Sequence, residues 1–238
     1  MGTVAEWSAY RPQQQQVDMA SVTTSAVHHA GLAALPTRGT DRHHISHGVY
    51  GADDASMGLV RMAQAELDIY LRRLAQLVGC EPVFAEAKSI PRAMAKADRE
   101  FGGDLSRVTD WARGTLVCDD LAQVFAAWQL IDSTFEVLQV ENRFRTPKAN
   151  GYRDLNVLVR LRQSGVVAEF QVHVAEIYAV KSGPEHRIYE EIQRMERVAY
   201  REGRGLSPRE RAAVRYLRAR SQQLYAHAWS RAVGAATI

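Results

Sequence analysis

Two acids, Asp110 and Glu169, interrupt apolar stretches of the chain, and cations gather near both in short bursts. Asp110 stands in Arg107-Val-Thr-Asp110-Trp-Ala-Arg113-Gly-Thr, just before Gly114 to Cys118, a run that reads as a buried strand. Glu169 lies inside Val166-Val-Ala-Glu-Phe-Gln-Val-His-Val174. Side chains alternate along a strand, so Glu169, Gln171 and His173 share one face and Val166, Ala168, Phe170, Val172 and Val174 the other. A carboxylate pair facing basic groups is what a magnesium-dependent reaction on phosphates requires. A strand with one solvated face would carry the same pattern.

The cations are Lys88, Arg92 and Lys96, then Arg113, then Arg143, Arg145 and Lys148. Phosphate oxygens take several such donors, and arginine adds planar two-point contact. Lys88, Arg92 and Lys96 are spaced by four, so a helix would stack them on one side; a solvated basic face has the same spacing. Tyr152, in Asn150-Gly-Tyr-Arg-Asp154, follows a flexible turn and either stacks on a base or plugs the core. His186, in Gly183-Pro-Glu-His-Arg, either positions Glu169 or substrate, or is a surface or helix-capping histidine.

The elements that must position these residues are legible in the periodicity. Met57, Leu59, Val60, Met62, Ala63, Leu67, Ile69, Tyr70, Leu74 and Leu77 recur at three and four, which predicts a helix with one buried stripe. A second helix is predicted over Ile90 to Phe101, stopped by Gly102-Gly103. The strand at Gly114 to Cys118 leads to a helix from Leu121 to about Phe135, capped by Asp119 or Asp120, and then to a strand over Glu136 to Phe144. Thr146 to Gly151 is a loop, and Gln163-Ser164-Gly165 joins strands Leu155 to Leu161 and Val166 to Val174 into a hairpin. Helices follow over Ala175 to Tyr200, interrupted at Gly183-Pro184, and over Ser207 to about Val233, opened by the capping box Ser207-Pro-Arg-Glu210. Helices flanking a small mixed sheet make an α/β (α+β) layered fold.

Composition sets the outer limits. The chain has 238 residues, 46% hydrophobic and 24% charged, with a net charge of +3, which is the make-up of one globular domain with a sizeable core. Residues 1–55, with Gln13 to Gln16 and a Ser/Thr/Ala stretch, lack periodicity and are expected to form a flexible leader, leaving 56–238 as the domain. Five of the eight histidines fall there, His28, His29, His43, His44 and His47, without the cysteine or acid partners a metal site wants. Cys80 and Cys118 lie in apolar surroundings and read as reduced core thiols. No apolar run approaches the roughly 20 residues of a membrane span, and the start lacks the pattern of a signal peptide. Action in the cytoplasm is expected, with delivery by a route that reads no signal peptide left open.

Taken in order, these motifs resemble the synthetase domain of the RelA/SpoT homologue enzymes, which make alarmone nucleotides. Lys-x7-Lys at Lys88 and Lys96, Asp110 before a strand with Arg113 close behind, Pro-Lys-x-Asn-Gly-Tyr from Pro147 to Tyr152, and Glu-x-Gln at Glu169 and Gln171 follow the family's sequence. The resemblance covers about residues 57 to 200 and implies a nucleotidyltransferase-like fold, a mixed sheet flanked by helices. Arg153-Asp154-Leu155-Asn156 replaces the family's Ser/Gln-Ser-Leu-His, Val172-His173-Val174 replaces Ile-Arg-Thr, and the loop between Arg143 and Gly151 is shorter. These differences fall where the acceptor nucleotide would lie. They are similar to those of divergent, often toxic members, some carried by secretion-system effectors and toxin–antitoxin pairs. No His-Asp pair of the family's hydrolase domain is found in the sequence.

The resemblance implies pyrophosphate transfer from ATP to the 3′-hydroxyl of a nucleotide, yielding a ppGpp- or ppApp-type alarmone and AMP. Asp110 and Glu169 would hold Mg2+ against the donor phosphates, and Glu169 would orient or deprotonate the hydroxyl. Lys88, Arg92, Lys96 and Arg113 fall to the donor ATP; Tyr152, Arg145, Lys148, Gln171 and His173 fall to the acceptor. An immunity or antitoxin protein is the partner a toxic member would have. Two other readings stand beside this one. Arg197, Arg201, Arg204, Arg209, Arg211, Arg215, Arg218 and Arg220, interleaved with Tyr216 and Tyr225, would suit an RNA backbone and a tRNA 3′ end as acceptor. A catalytically silent nucleotide- or RNA-binding module is the other, against which the presence of both acids argues.

Overall fold

Asp53 opens the first helix by accepting from Ser56 N at 2.7 Å, and the chain leaves it at Gly79, whose φ of 79° is left-handed. This helix, α1 (Asp54–Val78), buries Val60, Ala63, Leu67, Leu71 and Leu74. Met62 and Ile69, expected within the same stripe, are instead 62% and 61% exposed, as is much of Leu77. A helix offers the core one face, and these residues fall outside it. The computed structural model describes residues 35–37 and 53–234. The five histidines of the expected leader lie outside the described residues. Leu35, inside the range expected to be leader, is buried in the core, where Asn142 Nδ2 donates to its carbonyl at 3.1 Å.

After α1 come β1 (Glu81–Phe84), α2 (Ile90–Phe101), a 3-10 turn at Leu105–Arg107, β2 (Ala112–Cys118), α3 (Leu121–Thr134) and β3 (Glu136–Asn142). The chain continues through β4 (Leu155–Arg160), β5 (Val167–Val174), α4 (Ala175–Ser182), α5 (Pro184–Arg201) and α6 (Pro208–Gly234). Asp120, one of the two expected caps, receives Gln123 N at 2.8 Å. Ser207 and Glu210 form the predicted reciprocal box, Ser207 N donating to Glu210 Oε2 at 2.7 Å and Glu210 N to Ser207 Oγ at 3.3 Å. The hairpin turn is held from outside, because Glu66 on α1 accepts from Gln163 N and Ser164 N at 2.9 Å each.

The strands form one mixed sheet of order β1-β2-β5-β4-β3. β2 and β5 run parallel at its centre, and the other pairs are antiparallel. The two faces differ in chemistry. Gly114, Leu116, Phe170, Val172, Val157 and Val159 make the apolar face that packs on α1 and α3. Gly114 is needed there, since a Cβ would come within 3.0 Å of Leu71 on α1. The opposite face carries Arg113, Glu169, Gln171, His173 and Asn156, in register across β2, β5 and β4. Directly after β5, α4 folds back over this polar face, packing on α5 and α6.

Candidate active site

The first cluster is built on Asp110, just ahead of β2. Its Oδ2 meets Lys88 Nζ and its Oδ1 meets Lys96 Nζ, both at 2.9 Å. Lys88 precedes α2, which starts at Ile90 as predicted, so the spacing of four does not stack it with Arg92 and Lys96 on one helix: Ser89 is the N-cap, and Lys88 is fixed by its own N–H donating to Trp111 O at 2.9 Å. Arg92, on α2, is exposed. Burial alone would raise the Asp110 carboxyl, but Lys96 and Lys88 outweigh it and hold the group below the usual carboxylate range. Asp110 is therefore a fixed anion between two part-buried cations.

The second cluster lines the polar face of the sheet. Arg113 on β2 pairs in register with Glu169 on β5. Gln64 on α1 sets the Arg113 backbone, accepting from its N–H and donating to its carbonyl, both at 3.1 Å. Gln171 Nε2 donates to Glu169 Oε1 at 2.5 Å, and Lys181 Nζ on α4 donates to Gln171 Oε1 at 2.6 Å. Lys148, exposed at the lip, holds its ammonium 5.4 Å from the Tyr152 ring centre. Arg145 is exposed beside it, with its backbone N–H donating to Asn142 Oδ1 at 3.1 Å. Burial pushes the Lys181 ammonium down to about 8; Asp154 and Glu169 pull it up, while Arg113 and Lys148 push it further down.

Two residues expected on the acceptor side are corrected. His173 is fully buried and Tyr152 is 8% exposed, so neither is presented to a ligand. The Tyr152 hydroxyl lies 2.8 Å from Asp154 Oδ2 and 2.7 Å from His173 Nε2, and its ring packs edge-on against Tyr225 of α6. Asp154, fully buried, is in turn paired with Arg143 Nη1 at 2.9 Å. Tyr152 is thus the core plug of its two readings, and the His173–Tyr152–Asp154–Arg143 chain is the internal brace behind the polar face. His186 is a surface residue, 3.2 Å from Glu190 one helical turn on.

Asp110 and Glu169 stand at the N-terminal ends of adjacent parallel strands, each beside its own cations. Among the described residues no group of three or more acids, histidines or cysteines is placed to hold a metal. Carboxylates are the ligand type magnesium takes, one or two of them together with substrate phosphates and several waters, but both Asp110 oxygens are engaged by Lys88 and Lys96 here. Arg143, counted among the cations near the loop, is instead paired with the buried Asp154, and Lys181 joins the Glu169–Gln171 cluster without having been among the candidates. The signal for Lys181 was a lone cation in the otherwise apolar turn Ile177-Tyr-Ala-Val-Lys181 after the Glu-x-Gln strand.

The fold, a mixed five-stranded sheet flanked by helices, is shared with solved structures. The chain has the alarmone-synthetase fold. Small alarmone synthetase 2 of Bacillus subtilis aligns over 74% of this chain and 92% of its own, with a TM-score of 0.55 and 17% identity. Small alarmone synthetase 1 of Bacillus subtilis, bound to its product pppGpp, aligns over 75% and 90% with a TM-score of 0.56 and 19% identity. The type VI effector Tas1, in complex with its immunity protein, aligns over 73% and 94% with a TM-score of 0.52 and 22% identity. No family model and no curated protein matches the sequence. Within the alarmone-synthetase fold, the charged clusters stand on β2, β5 and the helices that flank them. No helix among the described residues is long and apolar enough to cross a membrane.

Proposed function

We propose that this chain is a divergent member of the RelA/SpoT homologue family that transfers pyrophosphate from ATP to the 3′-hydroxyl of an acceptor nucleotide. The observation that carries the reading is the register pair Arg113 and Glu169 on adjacent parallel strands, with Lys148 and Lys181 close enough to feel the Glu169 charge. The likeness to solved alarmone synthetases supports it at the level of reaction type.

In this scheme the acceptor oxygen bonds to the β-phosphorus of ATP as the α–β bridge breaks, and AMP leaves with the bridging oxygen. Glu169 takes the hydroxyl proton, held in place through Gln171. Lys88, Lys96 and Arg113, with Arg92 at the rim, offset charge on the donor phosphates. Asp110 and Glu169 would hold Mg2+, which when bound neutralises charge developing on the donor oxygens. Both Asp110 oxygens bond lysine in this arrangement, so a lysine turning to a phosphate would release an oxygen for the ion. Lys148 and Arg145 would receive acceptor phosphates. Arg204 and Arg218 of the arginine-rich stretch are engaged with Glu210 and Glu196, which favours a nucleotide over a tRNA 3′ end as acceptor.

The test is purified protein with labelled ATP, Mg2+ and each of GDP, GTP, the adenine nucleotides and tRNA, followed by mass analysis. The expected result is AMP together with a 3′-pyrophosphorylated nucleotide; ADP or phosphate as sole products would overturn the reading. The likeness to Tas1 supports a second element of it, that the product arrests growth and an immunity protein restrains the enzyme. Expression in the cytoplasm should then stop growth, and Glu169→Gln should relieve the arrest.

A further inference from the structure

Lys181 has no role in the chemistry above, although its ammonium is hydrogen-bonded into the Gln171–Glu169 cluster on the polar face of the sheet. It sits in the last turn of α4, which β5 leads into directly, so the chain doubles back and brings residue 181 over residue 171. Its hydrogen-bond partner is an amide, not a carboxylate: Nζ donates to Gln171 Oε1 at 2.6 Å. The other end of that amide, Nε2, donates to Glu169 Oε1 at 2.5 Å. The ring of Tyr178, with its centre 5.7 Å from Nζ, borders the ammonium on the α4 side.

An amide side chain has an accepting end and a donating end, and its neighbours decide which way round it lies. An ammonium can only donate. Lys181 therefore requires the Gln171 oxygen to face α4 and the Gln171 nitrogen to face Glu169. With the amide reversed, its oxygen would oppose the Glu169 carboxylate and turn it away. Burial disfavours the Lys181 charge, so the residue adds little to folding by itself.

We propose that Lys181 is a positioning residue that fixes the Glu169 carboxylate through the Gln171 amide, ready to accept the acceptor's proton. This rests on Glu169 acting as the base in the reading given above. Its effect belongs to the orientation of one carboxylate, not to binding of ATP.

The variants are Lys181→Met, Lys181→Arg, Gln171→Ala and the double Gln171→Ala/Lys181→Met. Lys181→Met should lower kcat about tenfold to a hundredfold with the KM for ATP unchanged within about twofold, at equal or higher Tm, and Lys181→Arg should recover part of the loss. The double variant should be no worse than Gln171→Ala alone, because one pathway is being cut twice. Independently of turnover, the side-chain amide signal of Gln171 in 1H–15N spectra, identified by its loss in Gln171→Ala, should shift in Lys181→Met. Full additivity in the double variant, a raised KM with unchanged kcat, or an unmoved amide signal would each overturn the proposal. If the wild type yields no product with any acceptor, the reading of the reaction fails, and the amide signal still decides what Lys181 positions.

Discussion

Asp110 and Glu169 are both carboxylates beside cations, yet their surroundings suit them to different work. Glu169 is half-buried, with an amide on one oxygen and a charge that Lys148 and Lys181 feel. Glu169→Gln keeps the shape and removes the charge and basicity. It should cost about 10²–10⁴-fold in product formation, the range of general-base loss, while stability measured by urea unfolding moves by less than about 0.5 kcal/mol. Asp110 is only 7% exposed and bridges two lysines, so its loss leaves both cations without their counter-charge in partly buried sites. Asp110→Asn should therefore lose turnover and about 2–4 kcal/mol of stability together. A variant that loses activity at unchanged stability would show that the lysines find other partners.

The loop from Thr146 to Tyr152 shows how an element reaches the site. Gly151 has a φ of 85°, and a Cβ there would come 3.2 Å from Tyr225 Cβ on α6. Gly151→Ala should destabilise by about 1–3 kcal/mol through strain and crowding. It should also displace Lys148 and the Tyr152 brace, so chemical unfolding and ATP turnover should both register it. Most elements could be read from their punctuation: Pro91 and Gly102 bracket α2, and Gly165 turns the β4–β5 hairpin. β1 was missed because four residues containing Pro82 carry no usable alternation, and proline at an edge strand disturbs no ladder. Asp110 and Glu169 stood out in the sequence because charge inside or beside an apolar run is rare, and the cations because they cluster near them. The burial of Tyr152 was not, because it depends on Tyr225, 73 residues later in the chain. Lys181 was hidden likewise, its place being set by the return of α4 over the sheet.

For the molecule as a whole, the polar brace ties β4 and β5 to the loop and to α6, and it makes stability depend on pH. His173 is fully buried. Its Nε2 meets the Tyr152 hydroxyl, and its Nδ1 has no hydrogen-bond partner among the described residues. Protonating Nδ1 would place a cation there unpaired; burial holds the imidazole well below its ordinary value, and Lys181 and Arg143 push it the same way. The unfolded chain therefore binds a proton near pH 6.5 that the native protein refuses. Stability from this group is complete above about pH 6.5 and is lost as pH falls toward the depressed native value, at up to about 1.4 kcal/mol per pH unit. Urea midpoints of the wild type should drop between about pH 6.5 and 5. His173→Gln, which cannot take up that proton, should start less stable and show a flatter profile over the same interval. Equal slopes in the two proteins would mean that the acid sensitivity arises elsewhere and that His173 is protonated in the native state.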